Sequence, residues 1–139
     1  MIRVYADMVA DLFHYGHVEF LKQARGLGDY LMVGICGDDE VEANKKRCII
    51  TMEERVAVVA ACRYVDEVIP DAPWRFDPAW IEKYNIDLVV HGDDYSQEQR
   101  EYYYKIPIER GIFRVVPYTS SISTTEIVRR CRETKLMSV

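Results

Sequence analysis

Hydrophobic positions along this chain alternate between two periods, and the alternation predicts strands and helices in turn. Ile2 to Ala6 is a short apolar run that reads as a buried strand. Val18, Leu21, Ala24 and Leu27 then recur at helical spacing, with Gly26 and Gly28 marking the helix end. Tyr30 to Ile35 is a second apolar strand. Thr51-Met52-Glu53-Glu54 has the form of a capping box, and Met52, Val56, Val59 and Ala60 follow on one helical face. Val65 to Ile69 predicts a third strand that ends at Pro70, and Pro78 opens a helix through Trp80 to Tyr84. Asp87 to His91 predicts a fourth strand stopped by Gly92. Residues 97–110 read as a helix that Pro107 breaks or kinks, and within it Tyr102-Tyr103-Tyr104 offers one ring to the core. Phe113 to Val116 is a fifth strand. Ser123-Thr124-Thr125-Glu126 is a second capping box, opening a helix through Ile127, Val128 and Cys131.

Short apolar strands alternating with helices predict a parallel sheet covered on both faces, here a single Rossmann-like α/β domain with five strands. In such sheets ligands bind beyond the carboxyl ends of the strands, where helix N-termini point partial positive charge outward. The segments to search are therefore residues 7–17, 36–51, 91–96 and 117–124.

Composition narrows the field of functions. A chain of 139 residues suits one domain, and 49% hydrophobic with 29% charged residues is an ordinary globular balance. With 18 Lys and Arg against 23 Asp and Glu the net charge is −5, which lacks the basic field of a general nucleic-acid binder. No apolar run approaches the roughly 20 residues that span a bilayer, so no membrane insertion is expected. Met1-Ile2-Arg3-Val4-Tyr5 reads as the approach to the first strand rather than as a signal peptide. Cys36, Cys48, Cys62 and Cys131 form no Cys-x-x-Cys pair and accompany no His cluster at zinc spacing. They predict reduced, mostly buried thiols in a cytoplasmic protein.

Four constellations carry chemistry. His14 and His17 flank Tyr15-Gly16 at the start of a helix, on one face of its first turn. The pair suits phosphate oxygens that gain charge in a transition state, and it equally suits plain capping or, with a third ligand such as His91, a metal. Lys45-Lys46-Arg47, with Arg55 in the next helix, is a tight basic cluster on a ligand-facing loop of an acidic protein. It reads either as phosphate-binding or as a solvated charge run. His91-Gly92-Asp93-Asp94 puts two carboxylates at the sheet edge, for a ribose, a base amine or simply a turn. The hydroxyl-rich Thr119–Thr125 segment can cap a helix and hold phosphate oxygens at once. Two phosphate-friendly helix N-termini suggest a nucleoside triphosphate spread across the switch point of the sheet. The chain has no P-loop, no Gly-x-Gly-x-x-Gly after its first strand and no Gly-x-Ser-x-Gly elbow.

His14-Tyr15-Gly16-His17 resembles the opening motif of the His-x-Gly-His nucleotidyltransferases, and three further segments resemble their cytidylyltransferase branch. Arg63-Tyr64-Val65-Asp66-Glu67-Val68-Ile69-Pro70 is similar to a segment of the glycerol-phosphate, ethanolamine-phosphate and choline-phosphate cytidylyltransferases. His91-Gly92-Asp93-Asp94 resembles their fourth-strand motif, and Ile122-Ser123-Thr124-Thr125 the end of their Arg-Thr-Glu-Gly-Ile-Ser-Thr signature. The resemblance implies transfer of CMP from CTP to a small phosphate or phosphonate acceptor, with Mg²⁺ held mainly by the triphosphate and not by the protein. It implies that His14, His17 and Lys46 are catalytic. Val9, Ala10, Gly16, Asp94, Ile122, Ser123 and Thr124 would join the two histidines at the nucleotide. Met8, Asp11, Lys46 and Arg55 would meet the acceptor. Arg63 and Asp66 would lie at a homodimer interface, and the chain could be one part of a longer fused protein.

The sequence also departs from the family pattern. Met8, Val9 and Ala10 stand where the family has Gly-x-Phe, and Tyr118, Ser120 and Ser121 replace the signature's Arg, Glu and Gly. Arg114, Arg129 or Arg130 would have to supply the missing charge. Phe to Ala opens space beside the acceptor and Gly to Met closes some, so a hydroxyalkylphosphonate joins the candidate acceptors. Two other readings are an adenylyltransferase of the same superfamily and a catalytically silent CTP-binding module.

Overall fold

A computed structural model describes residues 1–45, 47–118 and 121–134 of the chain. Lys46, Thr119 and Ser120 therefore lie outside the described residues. Along the chain run β1 (Arg3–Met8), α1 (Tyr15–Arg25), β2 (Tyr30–Cys36), α2 (Asp38–Asn44), α3 (Met52–Ala60) and β3 (Glu67–Ala72). These are followed by α4 (Pro78–Tyr84), β4 (Leu88–Gly92), α5 (Gln97–Tyr103), α6 (Lys105–Glu109), β5 (Phe113–Val116) and α7 (Thr124–Glu133). The strands form one parallel sheet in the order β3-β2-β1-β4-β5. The chain starts in the middle, winds out to β3, then crosses back to β4. β1 and β4 are thus neighbours whose connections leave in opposite directions, which opens a crevice above their carboxyl ends.

Both faces of the sheet are buried, and side chains alternate between them with period two. Val4 and Ala6 of β1, Leu31 and Val33 of β2 and Val90 of β4 pack with Leu21 and Ala24 of α1 and Val59 of α3. Tyr5, Met32 and Val89 point the other way, against Ile81, Ile86, Phe76 and Tyr104. Two covered faces explain why the strands read as unbroken apolar runs.

Several boundaries move for identifiable reasons. β3 does not stop at Pro70 but continues to Ala72. It is an edge strand, so the missing N–H costs no ladder bond, and its register against β2 shifts between Gly34 and Cys36. The helix expected over 97–110 divides at Tyr104. Pro107 crowds the carbonyl four residues back, and that carbonyl, on Tyr103, instead accepts from Phe76 N–H at 2.9 Å. α2 was not expected within the 36–51 loop: it is one short acidic helix with a single buried side chain, Val41, too little for a period to register. The Thr51 capping box is reciprocal, Thr51 Oγ1 accepting from Glu54 N–H at 3.1 Å and Glu54 accepting from Thr51 N–H at 2.9 Å. The Ser123 box is only half made. Ser123 Oγ accepts from Glu126 N–H at 3.0 Å, but the Glu126 carboxylate is drawn forward to Arg129 and Arg130. The thiols are free, yet only Cys36 is buried; Cys48 and Cys62 are half-buried and Cys131 is exposed.

Candidate active site

The loops beyond the strand ends enclose a cavity of about 1070 Å³, room for a nucleotide with a small second ligand. Its wall begins at the last two residues of β1, Asp7 and Met8. Ala10 and Leu12 follow with φ of 59° and 51°, a left-handed conformation that is strained for side chains other than glycine. The two turns bend the loop so that Met8, Val9, Ala10 and Asp11 all face the cavity before α1 begins.

α1 opens on a cap built from both histidines. His14 Nδ1 accepts from Gly16 N–H at 3.0 Å, and His17 Nδ1 accepts from His14 N–H at 3.0 Å. With each Nδ1 an acceptor, each neutral ring carries its proton on Nε2. Burial pushes the His14 imidazole below its ordinary range, and burial together with the neighbouring His14 pushes His17 down to about 3. The site therefore offers neutral N–H donors rather than cations. His17 lines the cavity and stacks on Phe13 at 5.3 Å; His14 sits just behind it, with its Nε2 buried and without a partner. The capping and phosphate readings of the pair are compatible, because the cap uses Nδ1 and leaves Nε2. Among the described residues no group of three or more His, Cys, Asp or Glu is disposed to hold a metal.

Gly16 is required by this packing. A Cβ there would lie 2.9 Å from His14 Cε1 and 3.3 Å from the Ile122 carbonyl. Ile122 accordingly backs α1 from the β5–α7 loop rather than lining the cavity. Gly16→Ala is expected to lower stability by roughly 1–3 kcal/mol and displace the His14 ring. An unfolding midpoint equal to that of the parent chain would show that the turn has room to spare.

Asp94, Ser123 and Thr124 face the cavity with Val9, Ala10, Gly16 and His17. Thr124 Oγ1 donates to the Asp11 carbonyl at 2.9 Å, which locks the N-terminus of α7 against the β1–α1 loop. Ser123 Oγ accepts a cap bond and retains its own proton for a ligand. Asp93 accepts from Tyr118 N–H at 2.9 Å, joining the β4–α5 turn to the last loop. Tyr118 and Arg129 line the cavity, whereas the Arg129 guanidinium is held by Glu126 and Glu133. Arg114 instead donates to the backbone at Gly111 and Phe113, and Arg130 pairs with Glu126.

The acceptor candidates divide. Met8 and Asp11 line the cavity, and the Asp11 carboxylate also accepts from Ile49 N–H at 2.9 Å and Ile50 N–H at 3.1 Å. Lys45 and Arg47 face the cavity on either side of Lys46, which lies outside the described residues. Arg55 is not at the cavity. It is fully buried, with its guanidinium donating to the Val9 carbonyl at 2.9 Å, to the Cys36 carbonyl at 3.2 Å and to the Asp38 carboxylate. It clips the ends of β1 and β2 together from beneath, so the acceptor contact expected of it is not present. Asp66 is likewise engaged within the chain, accepting from Leu31 N–H at 2.8 Å and pairing with Arg25 at 3.0 Å. Arg63 lies in a shallow groove with Phe13, Val58 and Tyr64.

Asp7, Trp74 and Tyr104 line the cavity and escaped the sequence reading as site residues. Asp7 is buried, and its carboxyl accepts from the Tyr104 hydroxyl. Burial pushes this carboxyl up, while His91 beside it and the Tyr104 hydrogen bond pull it down. Trp74 is buried under Lys45, whose Nζ lies 5.7 Å from the ring centroid, and its Nε1 has no partner. Tyr104 and Tyr95 bracket His91, with ring centroids 5.1 Å and 4.3 Å from the imidazole. A carboxylate directly after an apolar strand was the one local signal available for Asp7.

Residues 6–130 match a family model described as cytidylyltransferase-like. The chain is 46% identical to an ethanolamine-phosphate cytidylyltransferase of Arabidopsis thaliana over 91% of its own length and 32% of the relative's. It is 41% identical to choline-phosphate cytidylyltransferase A of Rattus norvegicus over 93% of its length and 36% of the relative's. The chain thus spans about a third of the length of these curated relatives. A lipopolysaccharide core biosynthesis protein from Thermoplasma volcanium GSS1 superposes with a TM-score of 0.70 at 29% identity, covering 86% of this chain and 97% of that one. No helix among the described residues is long and apolar enough to cross a membrane.

Proposed function

Because the chain belongs to the cytidylyltransferase-like family, we propose that it transfers CMP from CTP to the phosphate or phosphonate of a small acceptor with a positively charged head group, releasing pyrophosphate. The observation that carries this reading is the division of the cavity. Part of the lining presents neutral donors, His17 and the hydroxyl and N–H groups opening α7, with Lys45 near enough to act on His17 as well as lying over Trp74. The floor presents a buried carboxylate, Asp7, among the rings of Trp74, Tyr95 and Tyr104. A triphosphate suits the first part and an ammonium group the second.

In this reading an acceptor oxygen attacks the α-phosphorus in line. The new P–O bond forms as the bond to the β-phosphate oxygen breaks, and the electron pair leaves with pyrophosphate. The attacking oxygen is already anionic, so no general base is required. Catalysis then rests on positioning and on donors aimed at oxygens that gain charge. His14 and His17 donate through Nε2, Ser123 donates its hydroxyl, and Asp94 faces the nucleotide. Lys46, between two cavity-facing cations, binds the acceptor phosphate. Mg²⁺ fits as an ion carried by the triphosphate, whose charge it would neutralise: the carboxylates of Asp11, Glu126 and Glu133 around the cavity are already hydrogen-bonded or ion-paired. A homodimer is part of the proposal, through the groove of Phe13, Val18, Val58 and Tyr64, where Val58 is left 42% exposed. Sedimentation at the mass of one chain would remove that part.

Pyrophosphate release from CTP and Mg²⁺ tests the reading, with ethanolamine phosphate, choline phosphate, glycerol 3-phosphate and hydroxyethylphosphonate as acceptors and ATP as the nucleotide control. A CTP-dependent signal with an ammonium-bearing acceptor is expected. A signal confined to the neutral acceptors would overturn the head-group assignment, and one confined to ATP the nucleotide assignment. CTP binding without release for any acceptor would favour a binding module.

A further inference from the structure

The loop leading into α7 brings hydroxyls to the cavity and no cation of its own, since residues 117–124 contain no Lys or Arg. Of Arg114, Arg129 and Arg130, the first is turned to the backbone at Gly111 and Phe113, and the last does not line the cavity. Arg129 does line it. It belongs to a stripe of α7 that faces the cavity, Thr125, Val128, Arg129 and Arg132, spaced i, i+3, i+4 and i+7. Long side chains on a helix lean back toward its N-terminus, and Arg129 follows that rule. Its Nε and Nη2 donate to the Glu126 carboxylate at 2.9 Å and 2.6 Å, and its Nη1 donates to Glu133. Glu126 N–H in turn donates to Ser123 Oγ at 3.0 Å, so the guanidinium is joined to the helix cap through one residue. At ~1.5 Å of rise per residue the Arg129 backbone is ~9 Å along the axis from Ser123, and the side chain leans back over part of that distance. Consecutive phosphates of a polyphosphate can bridge the remainder. Arg132 lies almost a full turn farther out.

We propose that Arg129 is a phosphate-binding residue, which exchanges Glu126 and Glu133 for the terminal phosphate of a nucleoside triphosphate whose inner phosphates sit at Ser123 and the N-terminus of α7. That the nucleotide is CTP rests on the functional reading above. The exchange costs little, because ion pairs this exposed contribute little: 52% of the Arg129 side chain and 63% of Glu133 face solvent. Glu126 is not left alone, since Arg130 Nε stays 3.2 Å from its Oε1, and Glu133 is free to be hydrated. The terminal phosphate offers the planar guanidinium two anionic oxygens at once, a shorter and stronger pairing than a hydrated surface carboxylate gives. In the empty site the two carboxylates hold the guanidinium along the wall, so little side-chain freedom remains to be lost on binding.

The test measures binding of CTP and of CMP, each with Mg²⁺, to the whole chain by calorimetry, because the two ligands differ only beyond the α-phosphate. Arg129→Gln is expected to raise Kd for CTP about tenfold, the loss of one charge-assisted contact, and to leave Kd for CMP within about twofold. Glu133→Gln removes a competitor for the guanidinium, so Kd for CTP should fall about threefold, and the gain should vanish when Arg129→Gln is added. Equal losses for CTP and CMP in Arg129→Gln would mark damage to α7 and overturn the proposal, as would no change in either. A Glu133→Gln gain that survives undiminished in the double variant would assign it to relieved repulsion and overturns the exchange. A parent chain that binds ATP in preference to CTP overturns the nucleotide assignment of the functional reading, while the ratio of ATP to AMP affinity still decides the role of Arg129.

Discussion

His17→Ala is expected to lower kcat for CMP transfer by about 10²-fold or more, the cost of losing one donor aimed at charge that develops in a transition state. His17 is half-buried, packed against His14 and stacked on Phe13, and with Nδ1 accepting from His14 N–H its remaining donor is Nε2. Removing the ring also leaves the His14 N–H without its acceptor, so some loss of stability accompanies the kinetic effect. His17→Asn separates the two, because an amide oxygen can take over the cap while its N–H groups lie elsewhere. The expected result is an unfolding midpoint nearer the parent in His17→Asn, with turnover still depressed. Turnover equal to that of the parent in either variant would sink the phosphate role of His17. Neutral rings also imply that activity should not fall as ordinary histidines lose their protons near pH 6.5: burial keeps His17 unprotonated down to about 3.

Arg55→Met is expected to destabilise the fold by about 2–4 kcal/mol, the cost of leaving two inward carbonyls without their charged donor. For a chain of this size that corresponds to a drop on the order of 10 °C in the unfolding midpoint. The guanidinium is fully buried and serves the carbonyls of Val9 and Cys36 as well as Asp38. Without it both carbonyls lose a donor and the ends of β1 and β2 lose their common anchor. The experiment also decides between two roles. A residue that touched the acceptor would raise its KM with little change in midpoint. A buried clip lowers the midpoint and disturbs CTP and acceptor together, since Val9 is on the nucleotide wall and Cys36 on the floor. An unaltered midpoint with a selective rise in acceptor KM would restore Arg55 to the acceptor site.

The amino-acid order by itself determined the local structure and part of the chemistry. Apolar runs of strand length, the Thr51 capping box and Pro107 act within a few residues, through side-chain alternation, local hydrogen bonds and ring sterics, and each is met in the fold. The His14–His17 pair was legible for the same reason, because a three-residue spacing at a helix start fixes both rings on one turn. Arg55 was misread because a basic residue near a ligand-facing loop looks the same whether it points out or down. Only burial separates a phosphate contact from a clip. Asp7, Trp74 and Tyr104 could not be read at all as a site. They come from β1, the segment after β3 and the α5–α6 junction, and they meet only because the sheet order places β1 beside β4. Asp7 and Tyr104 are 97 residues apart, and no local rule couples positions so distant. The sequence determined the five strands, most of the helices and the Thr51 cap, whereas the crossover of the sheet decided which side chains share a cavity, because that depends on packing both apolar faces at once.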